Sequence, residues 1–420
     1  MSAASGQGAR AAPGGISWRS FTAAPHRVMM LGGAVQLVLA MAFWALELAA
    51  RVWPALAVPA WALPAAWAHA FLMLYGTFTF YLFGFLMTTY PRWMGGPPVP
   101  RPRYVATFLL LAGGMLGLYA GLLAGSRALV VAGAAVFLAG FAAGVSALWA
   151  VYRAAPASDR LYETLLNGVL LMAGGGMLAW LAAAAGAGAA WQRLAATVGL
   201  WWFLVPLLVT VGHRMIPFFS ECALEGYRPF RPRWSLLAML AASFLHGALT
   251  LAGGGRWLWL PDALLAGLAW LHTLRWGLAR SFAVRLLAML HVAWLWLGIG
   301  MTLQLADDLA ALGLGPALGR APLHALGVGF IAGMTMAMAT RVTMGHSGRP
   351  LVCDRLNWAL FWGLMAAATL RVAAELPWTA PALGAWGLPA AAVAWLAAFG
   401  IWAARLVPIY LRPRADGRPG

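Results

Sequence analysis

The chain has 420 residues, 63% of them hydrophobic and only 9% charged, with a mean hydropathy of +0.79. A soluble chain carries about 25% charged residues, so 28 basic and 11 acidic side chains cannot cover a water-facing surface of this length. The formal charge of +17 comes entirely from arginine, and the arginines are scattered along the chain, which argues against a nucleic-acid surface.

Residues 1–26 are rich in Gly, Ala and Ser and contain Arg10 and Arg19. No short apolar core with a cleavage site stands there, so the segment predicts a disordered cytoplasmic tail and not a signal peptide. Twelve stretches then meet the requirement of about 20 mostly apolar residues for a membrane span. In chain order they are 27–50, 65–90, 104–125, 128–152, 161–184, 194–212, 235–253, 257–275, 284–306, 322–340, 357–375 and 386–407. The longest connection is 213–234, too short for a soluble domain. The expected fold is all-α: a polytopic membrane helix bundle of about twelve transmembrane helices. It occupies 27–407 as one domain, with a short cytoplasmic tail at 408–420.

The arginines orient this bundle. Alternate connections hold Arg10, Arg19 and Arg27; Arg92, Arg101 and Arg103; Arg153 and Arg160; Arg214, Arg228, Arg231 and Arg233; Arg275, Arg280 and Arg285; Arg341, Arg349 and Arg355; and Arg405, Arg412, Arg414 and Arg418. The other side holds Arg51, Arg127, Arg193, Arg256 and Arg320, and Arg371 falls inside a span. The positive-inside rule places the arginine-rich side, with both termini, in the cytoplasm. Cys222 and Cys353 fall on that side and form no metal-thiolate spacing, so no disulfide is expected. The 24 tryptophans read as an interfacial belt at Trp53, Trp61, Trp67, Trp93, Trp257 and Trp378. Trp294 and Trp296, deeper in a span, are candidates for stacking on a cofactor.

Ionisable residues inside spans are functional candidates. Acids are few. Glu47, Glu163 and Glu375 lie near span ends and read as solvated at the interface. Asp262 follows Pro261 and reads as a helix cap. The pattern contains no chain of buried carboxylates, which weighs against a proton-coupled transporter. Eight histidines remain. His26, His213, His272 and His346 lie toward cytoplasmic ends. His69 opens the second span and His324 opens the tenth; both spans run outside to inside, so the two share one depth. His246 lies near the middle of the seventh span and His291 in the inner half of the ninth. Imidazole is the usual axial ligand of haem and a common ligand of copper. The paired depth makes His69 and His324 the first candidates, with His246 and His291 as further haem or metal ligands. A histidine bonded to a neighbouring helix is the alternative for each.

Two turns on the arginine-rich side are alike, Thr88–Pro98 and Thr340–Pro350. A slide of 253 residues superposes Gly95 on Gly348 and Pro97 on Pro350. The sixth span ends in the related run Thr210–Phe219. Spans two, six and ten are four apart, which predicts three four-helix units. Tight turns at the lipid headgroups account for this Gly/Pro/Arg content; the functional alternative is that Arg341 and Arg349 hold haem propionates.

At these segments the chain resembles the NnrS family of bacterial membrane proteins, over nearly its whole length. The run from His324-Ala325-Leu326-Gly327-Val328-Gly329 through Thr340-Arg341-Val342-Thr343-Met344-Gly345-His346-Ser347-Gly348-Arg349-Pro350 carries the resemblance, with Gly212–Phe219 and Leu290–Leu297. The second span departs from it. The family usually reads His-Ala-His-Glu-Met, and here His69 matches the first histidine while Phe71 and Leu72 stand in place of the second histidine and the glutamate. The resemblance implies a twelve-span haem- and copper-containing protein of the bacterial cytoplasmic (inner) membrane, associated with the response to nitric oxide. The histidine placement on spans two, seven and ten is also similar to that of haem-copper oxidases, an analogy of fold alone. A twelve-span transporter or efflux protein without a prosthetic group and a membrane scaffold are the alternatives. The expected partner is the lipid bilayer. Ser220, Glu221 and Cys222 beside His213 form no persuasive nucleophile triad.

Overall fold

The computed structural model describes residues 15–418. The twelve predicted spans are all helical: α1 (Pro25–Val52), α2 (Ala65–Met94), α3 (Arg101–Leu123), α4 (Arg127–Ala154), α5 (Leu161–Ala187), α6 (Ala189–Ala223), α7 (Arg233–Ala252), α8 (Trp259–Arg275), α9 (Arg285–Ala311), α10 (Ala321–His346), α11 (Arg355–Ala373) and α12 (Ala380–Leu411). Among the described residues, eleven of these are long and apolar enough to cross a membrane. The twelfth, α8, has 17 residues and is lengthened by the 3-10 turn Gly255–Trp257. A bundle of this hydropathy places the chain in a lipid bilayer.

Helices outrun hydropathy at several ends. The predicted connection 213–234 shrinks to 224–232, because α6 stays helical to Ala223. Hydropathy marks where lipid ends, whereas a helix ends where its hydrogen bonds end. Between α5 and α6 the chain reverses on Gly186 and Gly188, both at positive φ. There the Arg127 Nε donates to the free carbonyl of Ala184 at 2.5 Å, a side-chain substitute for the missing backbone donors.

Of the segment read as a tail, residues 1–14 lie outside the described residues. Trp18–Phe21 form one helical turn, and buried Thr22 follows, its carbonyl accepting from Tyr104 Oη of α3 at 2.7 Å. At the other end the Ala415 N–H donates to the Ser347 carbonyl at 2.9 Å, and Arg27 donates to the Arg412 carbonyl. Both described ends therefore meet on one face of the bundle, the terminal face. The opposite one is the distal face.

Small residues let helices approach closely where lipid supplies no hydrophobic drive between them. A Cβ on Gly133 of α4 would lie 2.4 Å from the Leu118 amide nitrogen of α3. In the second, sixth and tenth helices the regular turn widens to a π-helix: Leu72–Thr77 in α2, Val198–Leu204 in α6 and Ala325–Ala332 in α10. These three helices, with α9, are the most enclosed of the bundle. The slide that superposes Gly95 on Gly348 also places Leu72 on Ala325, the first π residue on the first π residue. Gly95 and Gly348 both adopt positive φ, 62° and 70°. A fourth π-stretch, Ala183–Ala187, ends α5 outside this spacing. π-turns concentrate at functional sites, and those of α2, α6 and α10 lie against one cavity.

Candidate cofactor cavity

The cavity has a volume of about 240 Å³ and lies in the distal half. Its wall includes Met73 and Leu74 from the π-turn of α2, Leu200 and Leu204 from that of α6, and Gly327, Val328 and Ile331 from that of α10. His69 and His324 both line it, each near the distal start of its helix. Depth alone made them a pair in the sequence; the fold brings them to one space.

Their nitrogens are differently occupied. His324 Nδ1 lies 2.9 Å from the Arg320 carbonyl oxygen. A carbonyl only accepts, so Nδ1 carries the hydrogen and Nε2 keeps its lone pair, the tautomer a metal ligand needs. The His69 ring stacks on Trp44, with centroids 4.1 Å apart and planes at 14°. Its buried Nδ1 has no hydrogen-bond partner. Two further cavity residues carry orphaned buried donors, Arg371 at Nη1 and Trp395 at Nε1. Arg371 also pairs with Glu375 at 2.8 Å through Nη2, and Arg320 completes the polar part of the wall. A buried donor without an acceptor costs about 1–3 kcal/mol. Two of them, with the unpartnered imidazole nitrogen of His69, mark a place for a polar ligand.

The other predicted site residues do not reach this cavity. Arg341 lies 17 positions beyond His324 along α10, about 25 Å at 1.5 Å per residue. It stacks over Phe219 at 3.8 Å from the ring centroid. Arg349 is exposed on the terminal face. A haem held by His69 and His324 cannot have its propionates on these two arginines; Arg320 and Arg371 stand in that position. His291 is buried in the terminal half, its Nε2 3.0 Å from Ser220 Oγ. Ser220 Oγ is also 2.9 Å from the Ile216 carbonyl, so His291 is bonded to a neighbouring helix and stands off the cavity. His246 Nδ1 lies 2.7 Å from Asp262 Oδ1, and His246 is absent from the cavity wall. Trp294 and Trp296 also lie off the cavity. Trp294 donates to the Ala269 carbonyl at 3.2 Å, and Trp296 covers Gly329. The tryptophans against the cavity are Trp44 and Trp395.

Two readings of acids change. Glu163 is buried and joined to Arg214 at 2.8 Å, not solvated at an interface. Asp262 caps nothing: it is wholly buried against His246. The sequence held one unused signal. Arg371 was the one arginine assigned to neither side of the membrane, and an intramembrane arginine is expensive unless it has a partner or a task.

A family model described as NnrS protein matches residues 20–414. The chain belongs to the NnrS family. No curated protein matches it. For this NnrS-family chain the missing second histidine can now be placed. Phe71 is buried, its ring centroid 4.2 Å from that of Trp180 and 5.7 Å from that of Phe137. That position is directed into the packing of α2 against α4 and α5, not toward the cavity, so its change to phenylalanine leaves the His69/His324 pair intact.

The donor set fits haem better than a bare metal ion. A porphyrin brings four nitrogens of its own and needs at most two axial ligands from the protein. Among the described residues no group of three or more His, Cys, Asp or Glu side chains is placed to hold a metal ion.

Proposed function

We propose that this NnrS-family membrane protein holds haem in the distal cavity and serves in the bacterial inner membrane in the response to nitric oxide. One observation carries the reading: two histidines, and two further residues with orphaned buried donors, line a single, otherwise apolar cavity. Haem supplies, when bound, an iron centre able to carry an electron or bind a diatomic ligand. The chain supplies the rest. His69 and His324 would hold the iron, His324 kept in the tautomer a ligand needs by the Arg320 carbonyl. Trp44 fixes the plane of the His69 ring. Arg320, Arg371 and Trp395 are placed to meet acidic groups on the macrocycle, and the aliphatic π-turn side chains exclude water.

The test is the optical spectrum and haem content of the purified protein from haem-sufficient cells. Wild type is expected to show a Soret band. His69→Ala and His324→Ala are each expected to lose or shift it, while His291→Ala leaves it unchanged. Absence of haem in the wild type refutes the reading. A transporter remains the rival reading, now with buried carboxylates in its favour; those carboxylates line no part of the cavity.

A further inference from the structure

The distal parts of α7, α8 and α9 hold a second polar cluster, and none of its members lines the cavity. His246 Nδ1 lies 2.7 and 3.0 Å from the two carboxylate oxygens of Asp262. The Asp308 carboxyl of α9 lies beside the Asp262 carboxyl. Asp308 Oδ1 accepts from Gln304 Nε2 at 3.1 Å, and Asp308 Oδ2 is buried without a partner. The three titratable residues are 4%, 0% and 6% exposed in chain order. On the α6 side the cluster is covered by Trp201, whose ring stacks on His246 at 3.6 Å.

Intramembrane carboxylates are normally matched by arginine or lysine. Among the described residues Asp262 has His246 as its only ion-pair partner and Asp308 has none. The other charged side chains at these helix ends are engaged elsewhere. Asp307 accepts from the Leu318 amide at 2.6 Å, and Arg256 lies over the Trp257 ring. Balance must therefore come from protons. Two carboxyls in contact in a low dielectric cannot both be ionised. Neutrality would take two protons on its three groups: either a neutral imidazole with two carboxylic acids, or an imidazolium with one acid and one carboxylate. The protons belong to the set and not to one member. Release of one leaves a single negative charge shared by the neighbouring groups. Asp308 is three residues from the distal end of α9 and Asp262 stands in the first turn of α8, so the route to distal water is short.

We propose that His246, Asp262 and Asp308 form an intramembrane proton-binding site that exchanges one proton with water at the distal face. The proposal does not depend on haem. Infrared spectra of the purified full chain in lipid nanodiscs test it. At neutral pH, where exposed carboxyl groups are ionised, the wild type is expected to show a protonated-carboxyl stretching band. The band should shift when aspartate is carbonyl-labelled with carbon-13, which separates it from Glu163. It should also shift on transfer to heavy water, and it should fall as the buffer is made alkaline. The Asp262→Asn/Asp308→Asn double variant should lose it. No such band in the wild type, or an unchanged band in the double variant, refutes the site. A band that neither exchanges in heavy water nor titrates refutes proton exchange and leaves a static hydrogen-bonded brace. If the double variant does not fold, the labelled wild type and Asp308→Asn alone decide: insensitivity to the label is then the refuting result.

Discussion

Gly327 and Gly329 stand two residues apart in the π-turn of α10, and they should respond oppositely to the same small change. A Cβ on Gly329 would fall 2.3 Å from Cδ2 of Trp296, with Cε3 and Cγ at 2.4 and 2.5 Å. These are the root atoms of a rigid ring, not the end of a flexible chain. Ordinary contact begins at 3.4 Å, so α9 and α10 would have to part by about 1.1 Å. Overpacking of this kind costs about 1–3 kcal/mol, which is roughly a 5- to 150-fold loss in the folding equilibrium. A Cβ on Gly327 meets nothing within 4 Å and enters the cavity, so Gly327→Ala should stay within about 0.5 kcal/mol of wild type. Unfolding by increasing mole fraction of SDS in mixed micelles, followed by tryptophan fluorescence, measures both. Gly329→Ala should unfold at lower SDS, and because α10 carries His324, the same variant should retain less haem. Equal midpoints for Gly329→Ala and wild type, or an equal loss in Gly327→Ala, would show that the π-turn does not bring the two helices as close as described.

Two other predictions use charge and accessibility. Breaking the Arg214–Glu163 pair should be asymmetric: the side chain of Glu163 is 1% exposed and that of Arg214 23%. Arg214→Gln strands a fully buried carboxylate and should cost about 3–5 kcal/mol, whereas Glu163→Gln leaves a guanidinium that reaches the surface and should cost less. The same SDS titration ranks them, and the reverse order would be wrong for this geometry. Cys222 is exposed and Cys353 buried; burial first, then Asp354, pushes the Cys353 thiol up to about 11. A membrane-impermeant maleimide at mildly alkaline pH should label Cys222 and spare Cys353. It should do so in inside-out vesicles and not in right-side-out ones if the terminal face is cytoplasmic, as the arginine asymmetry predicts. Labelling from the other side overturns that orientation.

Lipid made the architecture legible. Each span must satisfy its own backbone hydrogen bonds and face hydrocarbon over a fixed thickness, so apolar length alone located every long helix to within several residues at most ends. The depth of a residue follows from its position along a span, which is why His69 and His324 emerged as a pair. Azimuth was hidden. Hydropathy is nearly uniform around these helices, and nothing in it says that His291 turns to Ser220, that His246 turns to Asp262, or that Phe71 turns to Trp180.

The sequence by itself determined a helical membrane bundle, its arginine-rich face, its repeat and two histidines at one depth. Only tertiary structure decided what those histidines share. It set Arg320 and Arg371 in the cavity wall and left Arg341 and Arg349 near the opposite end of α10 from His324. It also joined Asp262 and Asp308, 46 residues apart, into one buried group. Length and polarity are properties of a segment, and a chain states them directly. Contact across helices depends on rotation and packing, which exist only once the helices have met.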